Sequence, residues 1–213
     1  LGFGLSSVVV FAGKSWFERH WHGAGGAALL LVGPLTVAAN ITAQAMPFNA
    51  IFLLSDPNQL WRLAANFLLY LLPFLAGAMF LGIAFLKNRG GFGRVYFADL
   101  FGSGVAGFVI LIAMYALPPE ELIAVPLLLW ALGGALWLAA TDAWKGAWAL
   151  VGVAALSLAG YAALPTLLGV PQIAVSQYKG VAYARNFPDA ARVYRSVSPF
   201  GDLQVYQSSY MHF

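Results

Sequence analysis

The sequence predicts an all-α polytopic membrane helix bundle of about six spans, the first of them partial, followed by a water-facing tail that ends in a β-hairpin. Three observations carry this reading. Of the 213 residues, 61% are apolar, against roughly 45 to 50% in a soluble domain. Only 9% are charged, where about a quarter is usual, so a compact water-facing body could not be covered. The apolar residues also fall in long runs, and about 20 such residues cross a hydrocarbon core roughly 30 Å thick. A mean hydropathy of +0.78 agrees. The chain has no cysteine, which excludes disulfides, iron–sulfur clusters, c-type haem attachment and thiolate zinc sites.

Residues 1–13 are too short to cross alone, and a chain beginning at Leu1 rather than Met is read as part of a longer one. The polar stretch 14–22 breaks the pattern. Residues 24–44 form the second span and carry Pro34, which a membrane helix tolerates as a kink. Residues 46–55 make an apolar, irregular connection along the interface. Asp56 followed by Pro57 is an N-cap and a first-turn proline. The third span, 57–86, is longer than a bilayer requires, so tilt or a bend at Pro73 is expected. The basic loop KNRGGFGR, 87–94, ends it. The fourth span, 95–117, contains Asp99 and stops at Pro118 and Pro119. Glu120 and Glu121 are expected in the first turn of the fifth, where carboxylates favour the positive end of the helix dipole. That helix reaches residue 140, and the sixth covers 147–169.

Composition divides the chain into a helical domain, 1–169, and a water-facing segment, 170–213. Within the segment, ARVYRSVS and LQVYQSS flank the turn SPFGD, with Val193, Val197, Leu203 and Val205 alternating as in a hairpin. A lone hairpin is marginal in water, so a larger soluble domain, or another protein, is expected to complete it. Lys14, Arg19, Lys87, Arg89, Arg94 and Lys145 fall in the loops after spans one, three and five, while the alternate loops hold only Arg62. By the positive-inside rule those three loops are cytoplasmic and the tail lies outside. Lys179, Arg185, Arg192 and Arg195 in the tail pull the other way, but long soluble segments translocate largely regardless of charge.

Gly102, Ser103, Gly104, Val105, Ala106 and Gly107 spell GxGxxG. A dinucleotide loop needs a βαβ unit with an acid about twenty residues on, whereas this run ends in two prolines. Small residues at these spacings instead let membrane helices approach closely, which makes Gly102, Ala106 and Gly107 packing residues and suggests Gly77, in the small-residue run of span three, as their counterpart. Asp99 is the carboxylate inside an apolar run, a functional candidate because such burial costs about 2.5 to 3.5 kcal/mol. Its place five residues from Arg94 also fits an interfacial cap or ion pair. His20 and His22 point to different faces of a helix and have only Glu18 nearby, so no metal site is read there. With Trp16 and Trp21 they fit an interfacial aromatic belt. The serines cluster in the tail and the remaining histidine, His212, stands at its end, so no serine, histidine and acid arrangement is read as a nucleophilic triad. Asp189 and Asp202 dilute the tail cations, and no nucleic-acid partner is expected.

PFLAGAMFLG, 73–82, and RVYFADLFGSGVAG, 94–107, resemble the membrane domain attached to spermidine synthase-like proteins. SQYKG, 176–180, and VSPFGDLQVYQSS, 197–209, are similar to that family's juxtamembrane segment and first β-hairpin. The resemblance covers residues 55–213 and implies a soluble domain like that of polyamine aminopropyltransferases. There a small β-rich piece precedes a Rossmann-like fold that holds decarboxylated S-adenosylmethionine. That fold would follow Phe213, so no catalytic or cofactor-binding residue is carried over to this chain, which itself holds no cofactor. The matched strings single out Asp99, the turn glycine Gly201, and Gln177, Tyr178 and Lys179 as candidate functional residues.

Three functions follow in order. The first is the membrane domain of a spermidine synthase-like protein, with aminopropyl transfer residing in the complete protein. The second is an accessory subunit of a larger membrane complex. The third is a transporter, for which Asn40, Gln44, Asn66 and Asp99 are a thin supply of polar groups. The expected partners are the lipid bilayer and other membrane subunits or further copies of the chain, and the expected location is a bacterial inner (cytoplasmic) membrane.

Overall fold

A computed structural model describes residues 1–211; His212 and Phe213 lie outside the described residues. The order is α1 (Gly2–Ala12), α2 (Lys14–Ala45), α3 (Pro57–Lys87), α4 (Phe92–Ala116), α5 (Ala124–Ala140), α6 (Trp144–Leu168), α7 (Gly180–Arg185), β1 (Ala191–Ser198) and β2 (Gly201–Gln207). A helix stands at each of the six apolar runs. Four, α2, α3, α4 with the turn before it, and α6, are long and apolar enough to cross a membrane. The other two, α1 and α5, have 11 and 17 residues.

Helix ends follow local chemistry. Asp56 Oδ1 accepts from Asn58 N–H at 3.0 Å, and Pro57 opens α3. Gly169, at φ +65°, closes α6 in the left-handed conformation that a side chain resists, with Val170 N–H reaching back to the Pro165 carbonyl at 2.8 Å. Two expectations are corrected. The stretch 14–22 is not a break but the first turns of α2, bent at His20 (φ −113°, ψ 21°), because polar side chains projecting from a helix end need no interruption of the backbone. Glu120 and Glu121 precede α5, which starts at Ala124 with no acid in its first turn. The two prolines hold the chain in a turn there, and Leu117 is extended.

The packing centre is α2, which lies against α3, α6 and α5, while α1 packs on α3. Leu29, Leu138, Ala147 and Leu150 form one buried cluster, and Val37, Ile41, Leu127 and Tyr161 another. Small residues of α2 permit the approach: Gly25, Gly26, Ala28, Gly33, Ala39 and Ala43 are all buried. Trp130 of α5 lies over Gly33, its indole N–H donating to the Leu29 carbonyl at 2.9 Å.

By contrast α4 stands at the edge, with no buried residue and slight contact with α3. The expected small-residue face therefore has no close neighbour among the described residues. Side chains added at Gly77, Gly102 or Gly107 would meet nothing within 4 Å. Ala106 only lines an open groove. Phe97, Phe101, Phe108 and Ile112 of α4 are 64 to 70% exposed. The whole chain shows 13371 Å² of surface, against roughly 9,500 Å² for a compact soluble monomer of its mass.

Polar contacts tie the helices at two ends. At one, Arg89 pairs with Glu18 at 2.8 Å, Lys87 lies over the Trp21 ring, and His22 meets Thr141 Oγ1 at 2.9 Å. This cationic end gathers 14–22, 87–94 and 141–145. At the other, Gln44 Oε1 accepts from Ala174 N–H at 2.7 Å, Asn66 Nδ2 donates to the Met46 carbonyl at 3.1 Å, and Asn49 N–H donates to Gln59 Oε1 at 2.8 Å. The hairpin belongs to this second end.

A Gly33→Ala substitution forces a methyl into the Trp130 ring, whereas Gly102→Ala enters open space. The first is expected to lower stability by about 1 to 3 kcal/mol and the second to leave it unchanged or slightly raised. Thermal unfolding of the two variants in the same detergent checks this, and equal behaviour would contradict the α2–α5 packing.

Candidate functional site

The hairpin pairs antiparallel, Arg195 opposite Gln204 and Val197 opposite Asp202, with a bulge between Arg192 and Tyr194. Alternation turns Asp202, Gln204 and Tyr206 toward the body of the protein, and these are the more buried positions of β2. Of the four alternating apolar residues, Leu203, Val205 and Val193 are 61, 43 and 55% exposed, Val193 falling in the bulge, while Val197, opposite Asp202, is half-buried. Register and bulge fix this. A shift of one residue exchanges the two faces of a strand.

Arg195 is the centre of the inward face. Its Nη1 and Nη2 donate to Glu120 Oε1 and Oε2 at 2.6 and 2.8 Å. Its Nε and Nη2 donate to Asp202 Oδ1 and Oδ2, both at 2.8 Å. One guanidinium thus makes forked contacts with two carboxylates, one from the helical body and one from its own hairpin. The three side chains are 18 to 29% exposed, so water screens them only in part. Hydrogen bonds from Arg195 hold both carboxyls below their ordinary range, against the opposing effect of burial. The same bonds hold the guanidinium protonated.

Neighbours fix the arrangement. Tyr161 of α6 donates its hydroxyl to the Glu120 carbonyl at 2.5 Å. Gln204 Nε2 donates to Asp202 Oδ2 at 2.6 Å, and Gln204 Oε1 accepts from Tyr206 Oη at 2.7 Å and Arg185 Nη2 at 3.0 Å. Arg185 Nε also donates to Tyr206 Oη at 2.7 Å. The chemistry here is docking: a charge-assisted clamp between bundle and ribbon.

The candidate residues from sequence divide between the two ends. Lys179 borders the same cleft as Glu120, Arg195 and Asp202. Tyr178 stacks edge-on against Phe52 with ring centres 5.4 Å apart, and Gln177 is exposed beside it. Asp99 is elsewhere, on the second turn of α4. It lines a groove of about 940 Å³ with Asn88, Arg94, Ser103, Ala106 and Trp137, and makes no ion pair or hydrogen bond among the described residues. Roughly 25 Å of helix separates it from the hairpin end. The GxGxxG string lies wholly inside α4. His20 Nδ1 lies 3.0 Å from the Trp16 carbonyl, and no group of three or more ligating side chains among the described residues could hold a metal ion.

Sequence reading passed over Arg195, and it took Glu120 for a helix start. The available signal was the i, i+2, i+4 polar row Asp202, Gln204, Tyr206, which marks a polar inward face. No family model, curated protein or solved structure matches the chain.

Replacing Glu120 by Gln is expected to weaken hairpin docking by about 1 to 3 kcal/mol. Because the docked carboxyls titrate low, their stabilisation is complete above the ordinary carboxylate range, about pH 4 to 4.5, and disappears as pH falls through the lowered values. Spin labels on Phe200→Cys and Leu167→Cys report it through their distance distribution. It should broaden in Glu120→Gln at neutral pH and in the parent on acidification; a distribution indifferent to both would remove the clamp.

Proposed function

We propose that the chain is an integral-membrane helical domain of the spermidine synthase-like kind, which anchors a water-facing β-module at the end opposite its cationic loops. The observation that carries the membrane half is the apolar outer surface, above all the bare aromatic face of α4. A contiguous apolar area of that size is stable where hydrocarbon replaces water. The two ends support an orientation. Lys14, Arg19, Lys87, Arg89, Arg94 and Lys145 share one end, which supports reading it as the cytoplasmic side, in our proposal that of a bacterial inner membrane. The hairpin then stands outside.

The resemblance supplies the second half, in which the complete protein moves an aminopropyl group from decarboxylated S-adenosylmethionine to a diamine. In that role this chain contributes position, its hairpin being the first piece of the soluble domain. An outward hairpin works against a cofactor made in the cytosol, so the two halves have separate tests. An accessory subunit of a larger complex is the second reading, favoured by the outward row Tyr194, Leu203 and Val205, an apolar face that another protein segment would cover.

The absence of cysteine makes the orientation directly measurable. In sealed cells an impermeant maleimide is expected to label Phe200→Cys, and to label Gly90→Cys only after permeabilisation. The reverse pattern overturns the orientation, and release of the protein by alkaline carbonate overturns membrane insertion. Binding of decarboxylated S-adenosylmethionine by the full-length protein tests the enzymatic half; no binding and no turnover with putrescine leave the anchoring role alone.

A further inference from the structure

A water-facing cleft of about 460 Å³ lies between the juxtamembrane segment and the hairpin, bordered by Lys179, Arg185, Arg192 and Arg195 and by only two carboxylates, Glu120 and Asp202. Both carboxylates are already engaged by Arg195. Arg185 is oriented by Tyr206 and Gln204, neutral acceptors that fix its guanidinium without cancelling its charge. Lys179 and Arg192 make no ion pair and no side-chain hydrogen bond among the described residues. Four cations against two acids leave a formal excess of two positive charges around one small concavity. Such like charges repel one another, and the docked hairpin holds them together.

We propose that this cleft binds an oxyanion, a phosphate or carboxylate group, held between Lys179 and Arg192 with Arg185 as a pre-oriented third donor. Arginine forks match the oxygens of such a group in pairs, and the cleft has the size of a small-molecule site. A free phosphorylated or carboxylated metabolite and the phosphate of a lipid headgroup offer the same chemistry. The inference goes beyond the anchoring role and does not rest on it, because the cleft belongs to the hairpin end whatever surrounds the helices.

Inorganic phosphate is the probe, titrated calorimetrically into the full chain in an uncharged detergent at constant ionic strength. One saturable site is expected. Arg192→Gln and Lys179→Gln should each weaken it about tenfold, whereas Lys145→Gln, at the cationic end, should not. Arg192→Lys, which keeps the charge, should retain part of the affinity; the label distance at the hairpin verifies that each variant remains docked. Binding that does not saturate, or that is equal in all variants, overturns the proposal. Repeating the titration in nanodiscs separates the sources. Loss of phosphate binding in phosphatidylglycerol discs but not phosphatidylcholine discs assigns the site to a headgroup, and equal binding in both assigns it to a soluble anion.

Discussion

A guanidinium shared between two carboxylates makes the ribbon and the helices one body. Two strands alone bury too little to hold together well in water. Here Arg195 reaches from β1 to Glu120 on the helical body while Asp202, across the hairpin, closes the other side. Each member restrains the next: Tyr161 holds the Glu120 backbone, and Gln204 holds Asp202. The arrangement is sensitive to its context, because removing one carboxylate leaves a partly buried charge under-compensated. Charge thus ties the hairpin to the helical body.

Inside the bundle the determinant is different. Apolar side chains are plentiful everywhere, so what selects α2 as the hub is its lack of bulk. Its glycines and alanines admit Trp130 and Trp137 from α5, and Trp130 is further fixed by a hydrogen bond to the Leu29 carbonyl. The same kind of residue on α4 does nothing of the sort among the described residues, since Gly102 and Gly107 look into open space. A small-residue motif is permissive. It becomes a contact only when a bulky partner is delivered to it.

This explains what could be read from sequence. The helices were legible because long apolar runs and prolines at 57, 118 and 119 are local signals, and Asp56 caps α3 through atoms two residues away. The α2 start is not legible in the same way, because polar residues resemble a break, whereas a helix end can carry Glu18 and His22 outward and use them against Arg89 and Thr141. Glu120 and Arg195 are 75 residues apart. No local pattern pairs them. The hairpin is legible from alternation and its turn, but which of its faces turns inward depends on that distant pair, and alternation alone does not choose between the two.

The irregular spacing at Arg192–Tyr194 makes the ribbon's two margins unequal. A regular strand flank presents a comb of amide hydrogens and carbonyls that can recruit another polypeptide, whereas an extra residue spoils the comb. Elongation by strand addition, as in unwanted fibrillar assembly, is therefore directed to the flank of Gly201–Gln207 and discouraged along β1.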